Sequence, residues 1–404
     1  MKYLKILIVI LCLINPKTHV FIAAIISFWL MYLGKKSPSV INPYYLFLAT
    51  PVSLTFYNED LSSFFLSAIE GFTLIIIFLG IISFCIGLIS YTPLKLSKDN
   101  INYSFWPLFI LGSFPYILGI LVHGIPIFSD DVDFVKSNFF LPIIGQFTVF
   151  LFFAQVLAFK KRNKFFMYLS LSSNLFFNII IVMKSSLGLL LVTTIFCYLK
   201  YTKIRLKKYL IPLFSLLFFV TLFFFQYFGE LRNKDNIEYS YKTLISFNNS
   251  FLDSQGDVLY APYFYLTTPW SNLDFNINKI KQYEYGLHTL RPILSILQID
   301  EIVSAEKKLI RNYQFNTHTY LTDFYNDFGI IGVIFLSFIF GRFVMIIYYN
   351  MLLRNSALDD TLWIYFGFAT LMMFFSNHFT SVGYPIIGLI ILYFYRTFLK
   401  FSKN

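Results

Sequence analysis

Long stretches without a charged residue restrict the possible folds of this chain more than any other feature. Three of them, Phe139–Phe159, Tyr209–Phe228 and Thr361–Phe379, contain no Asp, Glu, Lys or Arg. A helix of about 20 apolar residues matches the roughly 30 Å hydrocarbon core of a bilayer. Of the 404 residues, 57% are hydrophobic and 13% are charged, too few charges for the surface of a soluble protein. The sequence therefore predicts an all-α integral membrane protein.

The pattern of apolar runs predicts about twelve transmembrane helices. A charge at the bilayer centre costs on the order of 3 kcal/mol, so charges should collect at the ends of the spans. The chain then divides into an N-terminal transmembrane bundle of about nine spans (1–228), a large loop (229–326) and about three C-terminal transmembrane helices (327–404). The predicted spans are 3–14, 18–33, 40–56, 70–91, 104–122, 139–159, 165–183, 185–199, 209–228, 327–349, 361–379 and 383–398.

Basic residues alternate between the two sides of these spans. Loops rich in Lys and Arg lie on the cytoplasmic side of bacterial membranes, which places both termini in the cytoplasm and the loop 229–326 in the periplasm. The net charge of +11 follows from this topology, so we expect no nucleic-acid partner. The cytoplasmic set is Lys2, Lys5, Lys35, Lys36, Lys95, Lys98, Lys160, Lys161, Arg162, Lys164, Lys200, Lys203, Arg205, Lys207, Lys208, Arg354, Arg396, Lys400 and Lys403, whereas the opposite short connections hold Lys17, Lys136 and Lys184.

The large loop 229–326 has the composition of a folded segment. Disordered loops are poor in aromatic residues, yet this one carries Tyr260, Tyr263, Phe264, Tyr265 and Trp270. We expect it to pack against the bundle, with a helix from about Thr289 to Asn312. Its aromatic run has two possible roles, stacking on sugar rings or forming an interfacial belt.

Recognisable cofactor and metal motifs are missing from the sequence. It contains no phosphate-binding glycine loop, no dinucleotide fingerprint and no group of residues with metal-ligand spacing. Cys12, Cys85 and Cys197 lie inside apolar spans and are interpreted as small apolar residues. The expectation is a protein without a metal or another cofactor.

The segment from Phe315 to Gly332 is the most distinctive in the chain. It places polar residues just before a span, with Gly329 and Gly332 near its start. Asp323 and Asp327 are four residues apart and would share one face of a helix. A capped helix entry with glycines for close packing would also explain this pattern.

This segment resembles the late motif of the bacterial Wzy-type oligosaccharide repeat-unit polymerases, approximately N-T-F-T-Y-L-x-P-F-Y-x-D-F-G-x-x-G. His318 replaces its Phe and Asp323 replaces its Pro. Three earlier segments are also similar to the family: Gly124–Phe128, Tyr265-x-x-x-Pro269-x-x-Asn272-Leu273 and Gly286-x-x-Thr289-Leu290-x-Pro292. The matching residues of the late motif are Asn316, Thr317, Thr319, Tyr320, Leu321, Phe324, Tyr325, Asp327, Phe328, Gly329 and Gly332.

The resemblance implies a polymerase in the bacterial inner membrane. It would join undecaprenyl-pyrophosphate-linked oligosaccharide repeat units into O-antigen or capsular polysaccharide at the periplasmic face. Its partners would be this lipid-linked oligosaccharide and membrane lipids, with a chain-length determinant protein and a flippase as further candidates.

Two other functions stay open. The related O-antigen ligases have a motif that opens with His-Asn, which His318 partly matches, although Thr319 stands where their Asn would be. A lipid-linked oligosaccharide flippase is the alternative from a different class. Flippases usually have two related halves, short loops and charges inside the bundle, which fit this chain less well.

The resemblance also implies a site. Arginine forks onto phosphate oxygens, and Arg232, Arg291 and Arg311 lie in the outer loop where pyrophosphate would be held. The alternative for each is a solvated surface residue. His318 is the candidate base for the acceptor hydroxyl, or else a hydrogen-bonding loop residue. Asp327 is the second catalytic candidate, or else a residue that orients its neighbours. The implied pyrophosphate or glycan contacts are completed by Tyr320 and Tyr325.

Overall fold

The computed structural model is all-helical over the residues that it describes. These are residues 2–39, 41–59, 66–93, 101, 103–129, 135, 139–140, 144–181, 184–201, 257–280, 282–296, 317–379 and 386–401. The helices, numbered in chain order, are α1 (Lys2–Ile14), α2 (Thr18–Lys36), α3 (Pro43–Phe47), α4 (Ala49–Thr55), α5 (Gly71–Ile89), α6 (Phe105–His123), α7 (Val149–Lys161), α8 (Lys164–Ile180), α9 (Lys184–Tyr201), α10 (Asp257–Lys279), α11 (Arg291–Ile296), α12 (Tyr320–Arg354), α13 (Ala357–Leu371) and α14 (Ile386–Phe401).

The chain is a helical membrane protein. Within the described part, five helical stretches are long and apolar enough to cross a bilayer. Two shorter apolar helices, Tyr3–Ile14 and Ser186–Tyr201, accompany them. The five stretches are Thr18–Lys36, Gly71–Ile89, Phe105–Phe128, Ile144–Lys161 and Tyr320–Arg354.

Three predicted spans differ clearly from the helices that form. The predicted span 361–379 overlaps α13, which already ends at Leu371. The apolar run 40–56 is divided into α3 and α4, and Pro51 within α4 has no N–H to continue a single hydrogen-bonded helix. The span predicted to begin at 327 belongs to a helix that begins at Tyr320. The predicted span 209–228 and most of the predicted helix Thr289–Asn312 lie outside the described residues, apart from α11.

The helices are grouped in two compact units. The first unit comprises Met1–Leu94, Glu238–Tyr349 and Phe366–Val382, and the second comprises Lys95–Ile237, Asn350–Tyr365 and Gly383–Asn404.

Glycines allow α5 and α12 to touch inside the first unit. A Cβ on Gly87 would lie 2.2 Å from the backbone oxygen of Phe338, and a Cβ on Gly341 would lie 2.2 Å from that of Phe84. Two backbones come this close only where side chains are missing. The helix that carries the late motif is thereby fixed against α5.

Aromatic packing and interhelical polar contacts hold the second unit. The rings of Tyr116 on α6 and Phe177 on α8 stack with centroids 4.6 Å apart. The amide of Gln155 on α7 donates to the Thr194 hydroxyl on α9 over 3.2 Å and accepts from Asn174 on α8 over 2.9 Å. These bonds connect three helices through one fully buried side chain.

Candidate functional site

The start of α12 contains a sharp break at Gly329. Its φ of 61° and ψ of −147° are essentially restricted to glycine, and a Cβ there would lie 2.7 Å from the Tyr283 ring. A Cβ on Gly332 would lie 2.3 Å from the backbone oxygen of Phe324. Phe324 and Gly332 are eight residues apart, and in a straight helix this separation corresponds to about 12 Å along the axis. Because the two residues nearly touch, the segment 320–328, here called the motif arm, folds back at Gly329.

The carboxylate of Asp327 binds the turn formed by residues 284–290, here called the Asp327 turn. One oxygen accepts from the backbone N–H of His288 at 3.0 Å, and the other accepts from the backbone N–H of Thr289 at 2.7 Å and from its hydroxyl. Asp327 is fully buried, so these bonds are shielded from water. Its place in the motif is explained by holding this turn.

Backbone hydrogen bonds strengthen the same contact. The N–H of Glu284 donates to the Asn326 carbonyl at 2.9 Å, and the N–H of Tyr285 donates to the Asp327 carbonyl at 3.0 Å. Tyr285 and Gly286 both have positive φ, 49° and 100°, which reverses the chain here. The turn and the motif arm are thus joined through main chain and side chain.

Arg291 follows directly from this turn. It is the first residue of α11 and its side chain is exposed. Its backbone N–H reaches the His288 carbonyl at 3.4 Å. Asp327 thereby anchors the backbone from which the exposed side chain of Arg291 extends.

A buried histidine lies inside the Asp327 turn. The Nε2 atom of His288 is 3.2 Å from a carboxylate oxygen of Glu284 and 3.5 Å from the side-chain nitrogen of Asn326. Asn326 in turn accepts a hydrogen bond from the Asn276 amide of α10. Asn326 lies within the distinctive segment Phe315–Gly332, whereas Asn276, Glu284 and His288 do not stand out in the sequence. Their only local signal is the spacing of Glu284 and His288, four residues apart.

Helix α10 links the motif arm to the N-terminal part of the first unit. On one face, Asn272 and Asn276 reach the motif, with the Asn272 amide donating to the Thr317 carbonyl at 2.9 Å. On another, the Trp270 indole donates to the Ser53 hydroxyl at 3.1 Å, and Asp274 accepts from the Glu70 N–H at 3.0 Å. Each pair is spaced by four residues, so each projects from one face.

Tyr57, two residues after the end of α4, is a further buried residue with hydrogen bonds in the first unit. Its hydroxyl donates to the Ser67 carbonyl, and its own carbonyl accepts from the Asn15 amide at 2.8 Å. Burial raises the pKa of Tyr57 above its ordinary value, so the hydroxyl stays protonated and acts as a donor. Tyr57 thereby connects Ser67, shortly before α5, with Asn15, the residue after α1.

His318 is buried immediately before α12. Two hydrogen bonds hold this part of the chain. The Asn272 amide donates to the Thr317 carbonyl, and the Tyr320 N–H donates to the Met373 carbonyl at 3.0 Å. Asp323, one turn into the motif arm, is also buried. His378, near the end of the predicted eleventh span, is buried with its ring 5.6 Å from that of Phe368.

The two motif tyrosines lie in the interior. Tyr320 is fully buried, with the rings of Phe47, Phe84 and Phe324 within 6.4 Å of its own. Tyr325 is 5% exposed and packs edge-on to Tyr283 at 6.0 Å. Tyr320 therefore packs among aromatic side chains, and the glycan contact of Tyr320 and Tyr325 stays a prediction.

The structure describes part of the aromatic run but not the other two predicted arginines. Arg232 and Arg311 lie outside the described residues. Trp270 and Phe264 of the aromatic run are fully buried, so these two rings neither stack on a sugar nor form an interfacial belt. Among the described residues, no group of three or more His, Cys, Asp or Glu is placed to hold a metal ion.

Comparison with protein-family models, with curated proteins and with solved structures finds no match for this chain.

Proposed function

We propose that the chain is a membrane glycosyltransferase that polymerises lipid-linked oligosaccharide repeat units. The observation that carries this proposal is a meeting of three sequence segments that resemble the polymerase family. Asn272 of one segment donates to Thr317 of the late motif, and Thr289 of another donates to Asp327. These pairs are 45 and 38 residues apart in the chain, so their meeting is a property of the fold.

In the proposed reaction, an acceptor sugar hydroxyl attacks the anomeric carbon of the donor glycan. The bond from this carbon to the pyrophosphate oxygen breaks as the new glycosidic bond forms, and the hydroxyl proton leaves. Negative charge develops on the pyrophosphate, and a fixed cation stabilises it. Arg291 is exposed and held by the Asp327 turn, which suits this role, and Arg232 and Arg311 are the further candidates.

The proposed roles of the other motif residues follow their positions. His318 is the candidate proton acceptor, since imidazole titrates near neutral pH. Asp327 acts as a positioning residue because its oxygens already accept three hydrogen bonds from the turn.

The proposed topology has about twelve spans in a bacterial inner membrane. Both termini face the cytoplasm, and the loop 229–326 folds at the periplasmic face. The alternation of basic residues supports this arrangement. A reporter fused after Lys279 should be active only as a periplasmic enzyme. Activity of a cytoplasmic reporter at that position would contradict both the topology and the periplasmic reaction.

The glycan profile of a strain lacking this protein tests the proposed activity. A polymerase defect leaves surface lipid capped with single repeat units. A ligase defect removes all capping. This result would support the ligase alternative, whose motif His318 partly matches. Lipid-linked repeat units retained on the cytoplasmic side would indicate a flippase instead. Arg291→Ala should reproduce the single-repeat profile, and Arg291→Lys should restore chains only partly, because lysine lacks the planar fork.

A further inference from the structure

The connection between α7 and α8 is an exposed basic turn in the second unit. Arg162, at a left-handed φ of 53°, and Asn163 separate the two helices, and Asn163 caps α8 by accepting from the Phe166 N–H at 3.2 Å. The side chains of Lys161, Arg162 and Lys164 are exposed around this cap. The turn therefore holds three positive charges in a compact and fixed loop.

Among the residues that the structure describes in this unit, no acidic group pairs with the charges of this turn. Lys161 donates to a backbone carbonyl, that of Tyr103, at 2.6 Å. The acidic side chains that the structure describes in this unit, Asp359 and Asp360, pair with Arg396 and Lys200. Positive potential at the turn is thus available to an anion from outside the chain.

A shallow, open apolar groove, formed by one helix face, begins at the same turn. It lies along the outer face of α8, has a volume of about 370 Å³, and starts at Phe165, the residue after Lys164. Its one serine, Ser172, donates to the Leu169 carbonyl of its own helix, so the Tyr168 hydroxyl is the remaining polar side-chain group of the lining. The groove is lined by Phe165, Tyr168, Leu169, Leu171, Ser172 and Leu175.

The shape and charge together define the chemistry of a ligand. The helix rises about 15 Å from Phe165 to Leu175, a length along which an acyl chain can lie. Phe165 and Tyr168 are 64% and 68% exposed, so the groove is open at the surface of the unit. Cations at one end and an apolar track beyond them fit an amphiphile with an anionic head.

We propose that the basic turn and the α8 groove form a binding site for one anionic phospholipid of the membrane. The phosphate head is held by Arg162 and Lys164, with Lys161 beside it, and an acyl chain lies along Tyr168 and Leu175. This site belongs to the second unit and uses none of the residues assigned to glycan transfer. It is independent of the proposed function.

Native mass spectrometry of the purified full-length protein tests this site with two phospholipids of equal chain length. Phosphatidylglycerol should bind at least tenfold more tightly than phosphatidylcholine, since each cation near an anionic headgroup contributes roughly fivefold. Arg162→Gln/Lys164→Gln should abolish this preference. The matched control, Lys35→Gln/Lys36→Gln, removes two exposed charges at the end of α2 and should retain it.

A photoactivatable phosphatidylglycerol locates the site, and its crosslinks should map to residues 162–175. Equal preference for phosphatidylglycerol in the wild type and in the Arg162/Lys164 variant would overturn the proposal, as would equal loss in the control variant. Crosslinks confined to other helices would also overturn it. If undecaprenyl phosphate requires the turn and phosphatidylglycerol does not, the groove serves the carrier lipid and the proposal is wrong.

Discussion

Replacing Asp327 by alanine should release the Asp327 turn from the motif arm. The carboxylate accepts two backbone N–H groups and one hydroxyl, and each hydrogen bond to a charged group contributes about 1.5–3 kcal/mol. Such contributions are not additive, and an opened turn regains hydrogen bonds to water, so we expect a total cost of about 3 kcal/mol. Thr289→Val removes only the hydroxyl bond and should cost about 1.5 kcal/mol, the low end of this range.

Hydrogen exchange of the Glu284 and Tyr285 amides measures this opening. Their acceptors are backbone carbonyls of Asn326 and Asp327, which the substitutions keep, so these amides report the turn itself. A cost of about 3 kcal/mol corresponds to roughly a hundredfold loss of protection, and about 1.5 kcal/mol to roughly tenfold. In the Asp327→Ala background, Thr289→Val should add almost nothing, because the acceptor is already gone.

Polymer formation is the second readout of the same variants. The amount of polymer should fall slightly in Thr289→Val and strongly in Asp327→Ala, because a more open turn positions Arg291 less well. Protection of Glu284 and Tyr285 that stays within twofold of the wild type in Asp327→Ala would refute the reasoning about the turn. Lost protection with full-length polymer would show that the turn is held by Asp327 but does not position a needed cation.

Three further substitutions test separate parts of the structure. Gly329→Ala should destabilise the protein by roughly 1–3 kcal/mol, because the backbone there is restricted to glycine and the added Cβ meets the Tyr283 ring, whereas Gly71→Ala, at an open helix start, should be neutral in the same thermal unfolding assay. His318→Phe restores the polymerase pattern and should abolish chain growth at normal protein level if His318 accepts the proton; full polymer would leave that role to another group. Gln155→Leu removes two interhelical hydrogen bonds and should lower stability by about 1 kcal/mol in detergent, and unchanged unfolding would show that the bonds contribute nothing.

Single helices could be predicted well where apolar runs have clear polar ends. The predicted spans 70–91 and 104–122 correspond to Gly71–Ile89 and Phe105–His123. The start of α12 was misplaced because its first turns are rich in polar side chains and looked like a loop. Those side chains are buried against α10 and the Asp327 turn, and such tertiary partners are invisible in a local pattern.

The candidate site could be predicted only in part for a related reason. The late motif pointed to Asp327, and the resemblance pointed to the segment with Thr289. Asp327 and Thr289 are 38 residues apart in the sequence. Their direct contact depends on the break at Gly329 and on the positive φ of Gly286, which composition and spacing do not reveal. The burial of Tyr320 was missed because its hydroxyl and aromatic ring suit a sugar site and a helix core equally well.

Reconstitution tests the central claim most directly. Purified protein in proteoliposomes should convert undecaprenyl-pyrophosphate-linked repeat units into a ladder of longer lipid-linked glycans and release undecaprenyl pyrophosphate, and the Asp327→Ala protein should form little or no ladder. Repeat units that stay unextended with the wild-type protein, under conditions where a known polymerase extends them, would contradict the account. Transfer of single units to a lipid A core acceptor, without chain growth, would contradict it in favour of a ligase.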